Sequence, residues 1–206
     1  MSGITSSFGN MFSFLGLMAP LLLTFFVTAS SLFNANLKGL VYLGGLMCAC
    51  VINIFFMNAI KSRTPETADI VCHLWDIDFL DSLRDYNSPA VGSMIMGFTI
   101  IYLLLPMISH HQVNYAMIAT MLFLFGLNAS VNISKQCNKI DGIFLGALSG
   151  ILLGMCWYGA FHSAGLDTLL YYPEMQSNNV ICKRPSKQTF KCSVYKNGEI
   201  VSTMAA

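Results

Sequence analysis

Five stretches of this chain contain no Asp, Glu, Lys or Arg: residues 11–33, 39–60, 90–108, 112–131 and 142–162. Each is long enough to cross ~30 Å of hydrocarbon as a helix, which takes about 20 apolar residues. No other feature of the sequence restricts the fold as strongly. Charged residues are 10% of the chain and hydrophobic ones 55%, against roughly 25% charged in a soluble domain. The class that follows is an all-α integral membrane protein, with a bundle over residues 1–162 and a polar tail over 163–206.

The first stretch has a rival reading as a cleaved signal peptide, given the small residues near Ala29. No basic residue precedes it, and it is longer than the usual ~7–15-residue signal core, so it is taken as a span. Pro20 inside it releases a backbone carbonyl that a neighbouring helix must shield. Asn53 and Asn58 in the second stretch need partners for the same reason, and hydrogen bonds to other helices are the expected answer.

Net charge is +1, which excludes a general nucleic-acid binder, since that requires a basic surface. The seven cysteines show no close paired spacing of a zinc module. No metal or cofactor is expected. His110 and His111 are adjacent in a short turn and cannot share a helix face as metal-binding pairs at i, i+4 do.

The long connection Lys61–Pro89 is acidic, with Glu66, Asp69, Asp76, Asp78, Asp81 and Asp85 against Lys61, Arg63 and Arg84. Ile70, Val71, Leu74, Ile77 and Leu80 recur at helical spacing, and Trp75, Phe79 and Tyr86 suit the membrane interface. An interfacial helix over about 67–86 is expected, with its carboxylates as solvated charge rather than calcium ligands.

With five crossings, this connection and Ser130–Asp141 share one membrane side. Lys61, Arg63, Arg84, Lys135 and Lys139 lie on that side and Lys38 on the other. The positive-inside rule therefore puts the first side in the cytosol.

The fifth span follows a polar run, Ser130-Val-Asn-Ile-Ser-Lys-Gln-Cys-Asn-Lys-Ile-Asp141, whose carboxylate suits the positive end of a helix. Gly142, Gly146, Gly150 and Gly154 then repeat every four residues, a smooth face for close helix packing. Beyond residue 162 the chain turns polar. Thr189–Tyr195 alternates as a strand does and Lys196-Asn-Gly-Glu199 is a hairpin turn, so a small β-hairpin is expected. Cys182 and Cys192 are a candidate disulfide on an oxidising side of the membrane, or two free thiols on a cytosolic one.

Three segments in this order resemble the motifs of the type 2 phosphatidic acid phosphatase (lipid phosphate phosphatase) superfamily over about residues 39–160. Asn53-Ile-Phe-Phe-Met57, continuing to Arg63-Thr-Pro65, resembles the first motif. Ser88-Pro-Ala-Val-Gly-Ser93 resembles the second, and Ser130–Asp141 the third. The resemblance implies a phosphatase-type five-helix frame with these segments on one membrane side.

It also implies lost chemistry. The family's third motif carries a nucleophilic His and an Asp four residues later; here those places hold Cys137 and Asp141. Its Ser-Arg opening is Ser130-Val131. The second motif's Pro-Ser-Gly-His is Pro89-Ala90-Val91-Gly92, and the first motif's Lys and Arg-Pro are Met57 and Thr64-Pro65. A general acid supplies ~10²–10⁴-fold in rate. A donor to developing negative charge supplies about another 10²–10³-fold.

The expectation is a non-catalytic membrane scaffold or structural protein. It would contact the bilayer, and other membrane or capsid proteins through Lys61–Pro89 and the tail. The alternatives are a lipid phosphatase or phosphotransferase with altered residues, using Cys137 as a thiolate, and a lipid-binding or transport protein. The tail phrase Lys187–Cys192 with Val194–Gly198 resembles tails of membrane proteins of large DNA viruses, implying a virion inner membrane or a host endomembrane.

Overall fold

The computed structural model describes residues 8–63, 72, 86–111, 113–171, 191–196 and 199–205. Its first compact unit, Met1–Glu174, holds helices α1 (Phe8–Phe33), α2 (Lys38–Ile60), α3 (Val91–Ser109), α4 (Tyr115–Ser134) and α5 (Ile140–Ser163). All five are long and apolar enough to cross a membrane. A helix satisfies its own N–H and C=O groups, which is why an uncharged run of this length takes that form in lipid.

Helix ends follow local chemistry and shift several expected bounds. The fourth helix starts at Tyr115 rather than 112, because Asn114 caps it by accepting from Met117 N at 3.1 Å. It also runs on to Ser134, three residues past the expected end, with Asn132 turned inward and buried. The polar run before the fifth span is therefore largely helical, and the loop shrinks to residues 135–139. Lys61 ends α2 in the left-handed region at φ 51.

α3 is the central helix. In its spanning window 61% of residues are buried, against 22% in α1 and in α4. Its contact with α5 is the closest in the bundle. A Cβ on Gly97 would lie 2.5 Å from Ala147 O, and one on Gly150 would collide with Met94 O and come within 2.8 Å of Phe98 N. The glycine face of α5 is thus pressed on the α3 backbone.

Aromatic rings fill the middle. Tyr42, Phe98 and Tyr102 are fully buried with centroids 5.6–6.0 Å apart, and Tyr42 OH shares a 2.6 Å hydrogen bond with Thr99 Oγ1. Trp157 Nε1 donates to Val41 O at 3.2 Å. The missing side chain of Gly45 makes that possible, since a Cβ there would sit 2.6 Å from the indole nitrogen.

Alternating helix directions create two faces. The loop face gathers the ends of α2 and α4 with the starts of α3 and α5. There Ser62–Arg63 (β1) pairs antiparallel with Tyr86–Ser88 (β2), closing the base of the long connection. The turn face gathers the opposite ends, where Gly39 N donates to Ser31 Oγ at 2.7 Å. Of the expected interfacial helix 67–86, Cys72 and Tyr86 alone are described; Tyr86 belongs to β2, so that helix does not reach it.

The second unit, Met175–Ala206, contains Lys191–Lys196 (β3) antiparallel to Glu199–Ala205 (β4), with Cys192 opposite Met204. Cys182 and the turn residues 197–198 lie outside the described residues.

Candidate functional site at the loop face

The described positions among those singled out by the family resemblance fall at the loop face, each in a different setting. Met57 is buried in the last turn of α2, and its carbonyl accepts from Lys61 N at 2.9 Å. Pro89 and Ala90 lead into α3. Pro89 O accepts from Asn53 Nδ2 at 3.3 Å, and Ala90 N donates to Gly142 O at 2.9 Å. A Cβ on Gly146 would come within 3.0 Å of Ala90 N, so α5 lies directly on this turn. Val91 is 40% exposed on the flank of the bundle.

Gly92 faces α1 and α4: a Cβ there would be 3.4 Å from Pro20 Cγ and 3.5 Å from Asn128 Oδ1. Ser130 is exposed, whereas Val131 packs so closely on α1 that a Cβ on Gly16 would stand 2.7 Å from Val131 Cγ2. Asp141 is exposed in the first turn of α5. Thr64 and Pro65 lie outside the described residues.

Cys137, which only the altered-enzyme alternative offers as a thiolate, is one half of a disulfide. It is 7% exposed and bonded to Cys72, with Sγ atoms 2.03 Å and Cα atoms 5.3 Å apart. A thiolate is what attacks phosphorus or any other electrophile, and a disulfide sulfur carries no such charge. The thiolate role offered for Cys137 therefore does not exist in this state of the protein. The loop that presents it is itself tied down, since Cys137 N donates to Asn132 O at 2.9 Å.

Beneath the disulfide a column of amides descends into the bundle. Asn138 Nδ2 donates to Asn132 Oδ1 at 3.0 Å, Asn132 Nδ2 to Asn128 O at 2.8 Å, and Asn128 Nδ2 to Gly16 O at 2.7 Å. The last bond answers the requirement raised by Pro20. Proline has no N–H, so the carbonyl four residues earlier, that of Gly16, loses its helical donor. Asn128 supplies the replacement from another helix. Asn53 likewise finds a partner outside its own helix, but Asn58 does not: its Nδ2 returns to Ile54 O at 3.1 Å within α2.

Asn53 Oδ1, Ser93 Oγ and Asn128 Oδ1 are buried and have no hydrogen-bond partner among the described residues. The buried polar groups described at this face are amides and hydroxyls. Such groups hold helices together by hydrogen bonding; they neither exchange a proton near neutral pH nor offer a phosphate a positive charge.

The turn face carries a different set. His162 Nδ1 lies 2.7 Å from Asp167 Oδ1, the His162 ring stacks on Tyr158, and Tyr158 OH pairs with Ser109 Oγ at 3.0 Å. The chain then folds back: Leu170 is buried in the core and Tyr171 OH donates to Val27 O. Among the described residues no three His, Cys, Asp or Glu side chains are grouped to hold a metal. A cleft between α3 and α4 near this face, lined by Ile100, Leu103, Met107, Met117 and Met121, is apolar.

Sequence reasoning missed Cys72 as the partner of Cys137, and it missed the asparagine column. Both had a signal. In the five-span topology Cys72 and Cys137 are the two cysteines in polar segments of one side. Asn128 and Asn132, four apart in an otherwise apolar stretch, stack on one helix face.

The fold and this face define a multi-pass helical membrane protein whose loop-side segments are joined by a disulfide. Comparison of the chain with models of protein families, with curated proteins and with solved structures finds no match in any of the three.

Proposed function

We propose that this protein is a non-catalytic membrane scaffold, built on a degenerate frame of the phosphatidic acid phosphatase type. The observation that carries the proposal is the Cys72–Cys137 bond. The position where the resemblance implies a nucleophile is used as a covalent strut. Neighbouring positions support the same reading. Met57 fills space, Gly92 and Val131 serve contacts with α1 and α4, and α5 closes on the start of α3. The altered-enzyme alternative loses its candidate nucleophile, and no observation favours the lipid-transport alternative.

In this proposal the Lys61–Pro89 connection and the tail beyond Ser163, with its small hairpin, are the parts that contact other membrane or capsid proteins. A virion inner membrane or a host endomembrane is the setting the tail resemblance suggests. The test is phosphate release from phosphatidic acid and from diphosphate lipids by the purified full chain. No turnover above a protein-free control is expected, with or without reductant. Turnover abolished by Asp141→Asn or by Cys137→Ser would overturn the scaffold reading.

A further inference from the structure

We infer that the loop face lies in a thiol-oxidising compartment, the lumenal or outer side of the membrane, with the His110–His111 turn in the cytosol. The inference concerns sidedness and does not depend on the scaffold reading. Cys72 and Cys137 belong to two separate polar segments and, 65 residues apart in sequence, are joined by the disulfide. Their Cα separation of 5.3 Å lies within the usual range for a disulfide, ~4.4–6.8 Å. Such bonds persist on oxidising sides of membranes and are rare in the cytosol.

Three of the other cysteines fit this division. Cys48, Cys50 and Cys156 are free thiols, and all three lie inside α2 and α5, where neither compartment's redox chemistry reaches readily. The cysteines that do meet an aqueous compartment at the loop face are the bonded ones. Closing the bond removes two electrons and two protons from the two thiols. A disulfide-bearing oxidoreductase of the compartment accepts them and leaves as its dithiol.

This orientation reverses the one that basic residues alone suggest. The conflict resolves at the helix ends. Lys61 is the C-cap of α2 and Lys135 the C-cap of α4, where a cation complements the negative end of the helix whichever compartment it faces. Two of the lysines that voted for a cytosolic loop face thus have a local reason to be there. The positive-inside rule is a bias in counts over short loops, and it yields to a covalent bond that needs an oxidant.

The test uses the full chain in sealed microsomes with the cytosolic side outward and a membrane-impermeant maleimide, with peptide mapping to assign each label. His110→Cys and Lys139→Cys report the two faces; both positions are exposed. His110→Cys is expected to label in sealed vesicles, and Lys139→Cys to label at least tenfold more after digitonin opens them. In the unsubstituted chain, denatured and alkylated, Cys72 and Cys137 are expected to take label only after reduction. Labelling of Lys139→Cys in sealed vesicles, or of Cys72 and Cys137 without reductant, would overturn the inference. The alkylation of the unsubstituted chain stands even if a variant fails to insert.

Discussion

α3 and α5 meet backbone to backbone along a glycine face, whereas α1 and α4 meet through the Asn128 amide and the Val131 side chain. On the first seam, Gly142, Gly146, Gly150 and Gly154 are all buried; Cβ atoms added at Gly150 and Gly154 would strike α3, and one at Gly146 the Ala90 turn that leads into it. On the second, the close points are Asn128 on Gly16 O and Val131 on Gly16 itself. Lipid tails are as apolar as leucine, so neither pair gains from excluding lipid as it would from excluding water. One seam relies on dispersion across a smooth contact. The other relies on a hydrogen bond that lipid cannot replace.

The difference predicts where each half is vulnerable. α4 is little buried, at 22% of its spanning window, and the loop following it is anchored by the disulfide. Removing that bond with Cys72→Ser and Cys137→Ser together opens a loop of 65 residues, which by chain entropy costs at most about 4 kcal/mol, less as the chain unfolded in detergent keeps α3 and α4 helical. The expected result is a lower midpoint of unfolding in mixed detergent for the double variant, matched by the reduced wild type. Equal midpoints for oxidised and reduced protein would show that the amides alone hold α4.

The second effect belongs to the glycine seam. Gly150→Ala places a methyl against Met94 O and Phe98 N, backbone atoms that cannot rotate aside. Overpacking of this kind costs about 1–3 kcal/mol, and the upper end is expected because the two helices must separate. The same titration checks it. A shift no larger than that of a substitution in open space would mean the seam is looser than its geometry.

Much of this architecture is legible in the sequence. Uncharged runs located all five helices because lipid leaves the backbone no other partner. The period of the glycines marked the α5 face that packs. What the sequence concealed was pairing. Cys137 read as an isolated residue at a motif position, because nothing local to it points 65 residues upstream to Cys72. The apolar setting of Asn58 predicts a bond across helices, yet an exposed amide near a helix end satisfies itself on Ile54 O. The fourth helix ran past its apolar stretch because Asn132 could turn inward and bond, which a hydropathy pattern registers as a loop.

Asn128→Ala probes the amide seam and ranks third. It strips Gly16 O of its donor in a place where Pro20 has removed the normal one. Interhelical hydrogen bonds in membranes are worth ~0.6–1.7 kcal/mol, so a loss of about 1 kcal/mol is expected. Asn128→Ala combined with Pro20→Ala should recover part of it, since alanine restores an N–H for Gly16 O. The double variant therefore separates a missing hydrogen bond from a simple packing defect, which Pro20→Ala would not repair.

The smallest effect comes from Gly126→Ala, and its sign matters more than its size. No atom beyond its own helix backbone and chain neighbours lies within 4 Å of where a Cβ would stand on Gly126. Replacing a mid-helix glycine by alanine in water gains roughly 0.5–1 kcal/mol. Here the gain should be about half that or less, because a chain unfolded in detergent keeps much of its helix and so recovers less entropy. The identical substitution at Gly146, which faces Ala90, should destabilise. Opposite signs for one chemical change, measured side by side, would establish that glycine at the α3–α5 seam is there for contact and that glycine on the open flank is not. Equal signs would remove the distinction between the two seams.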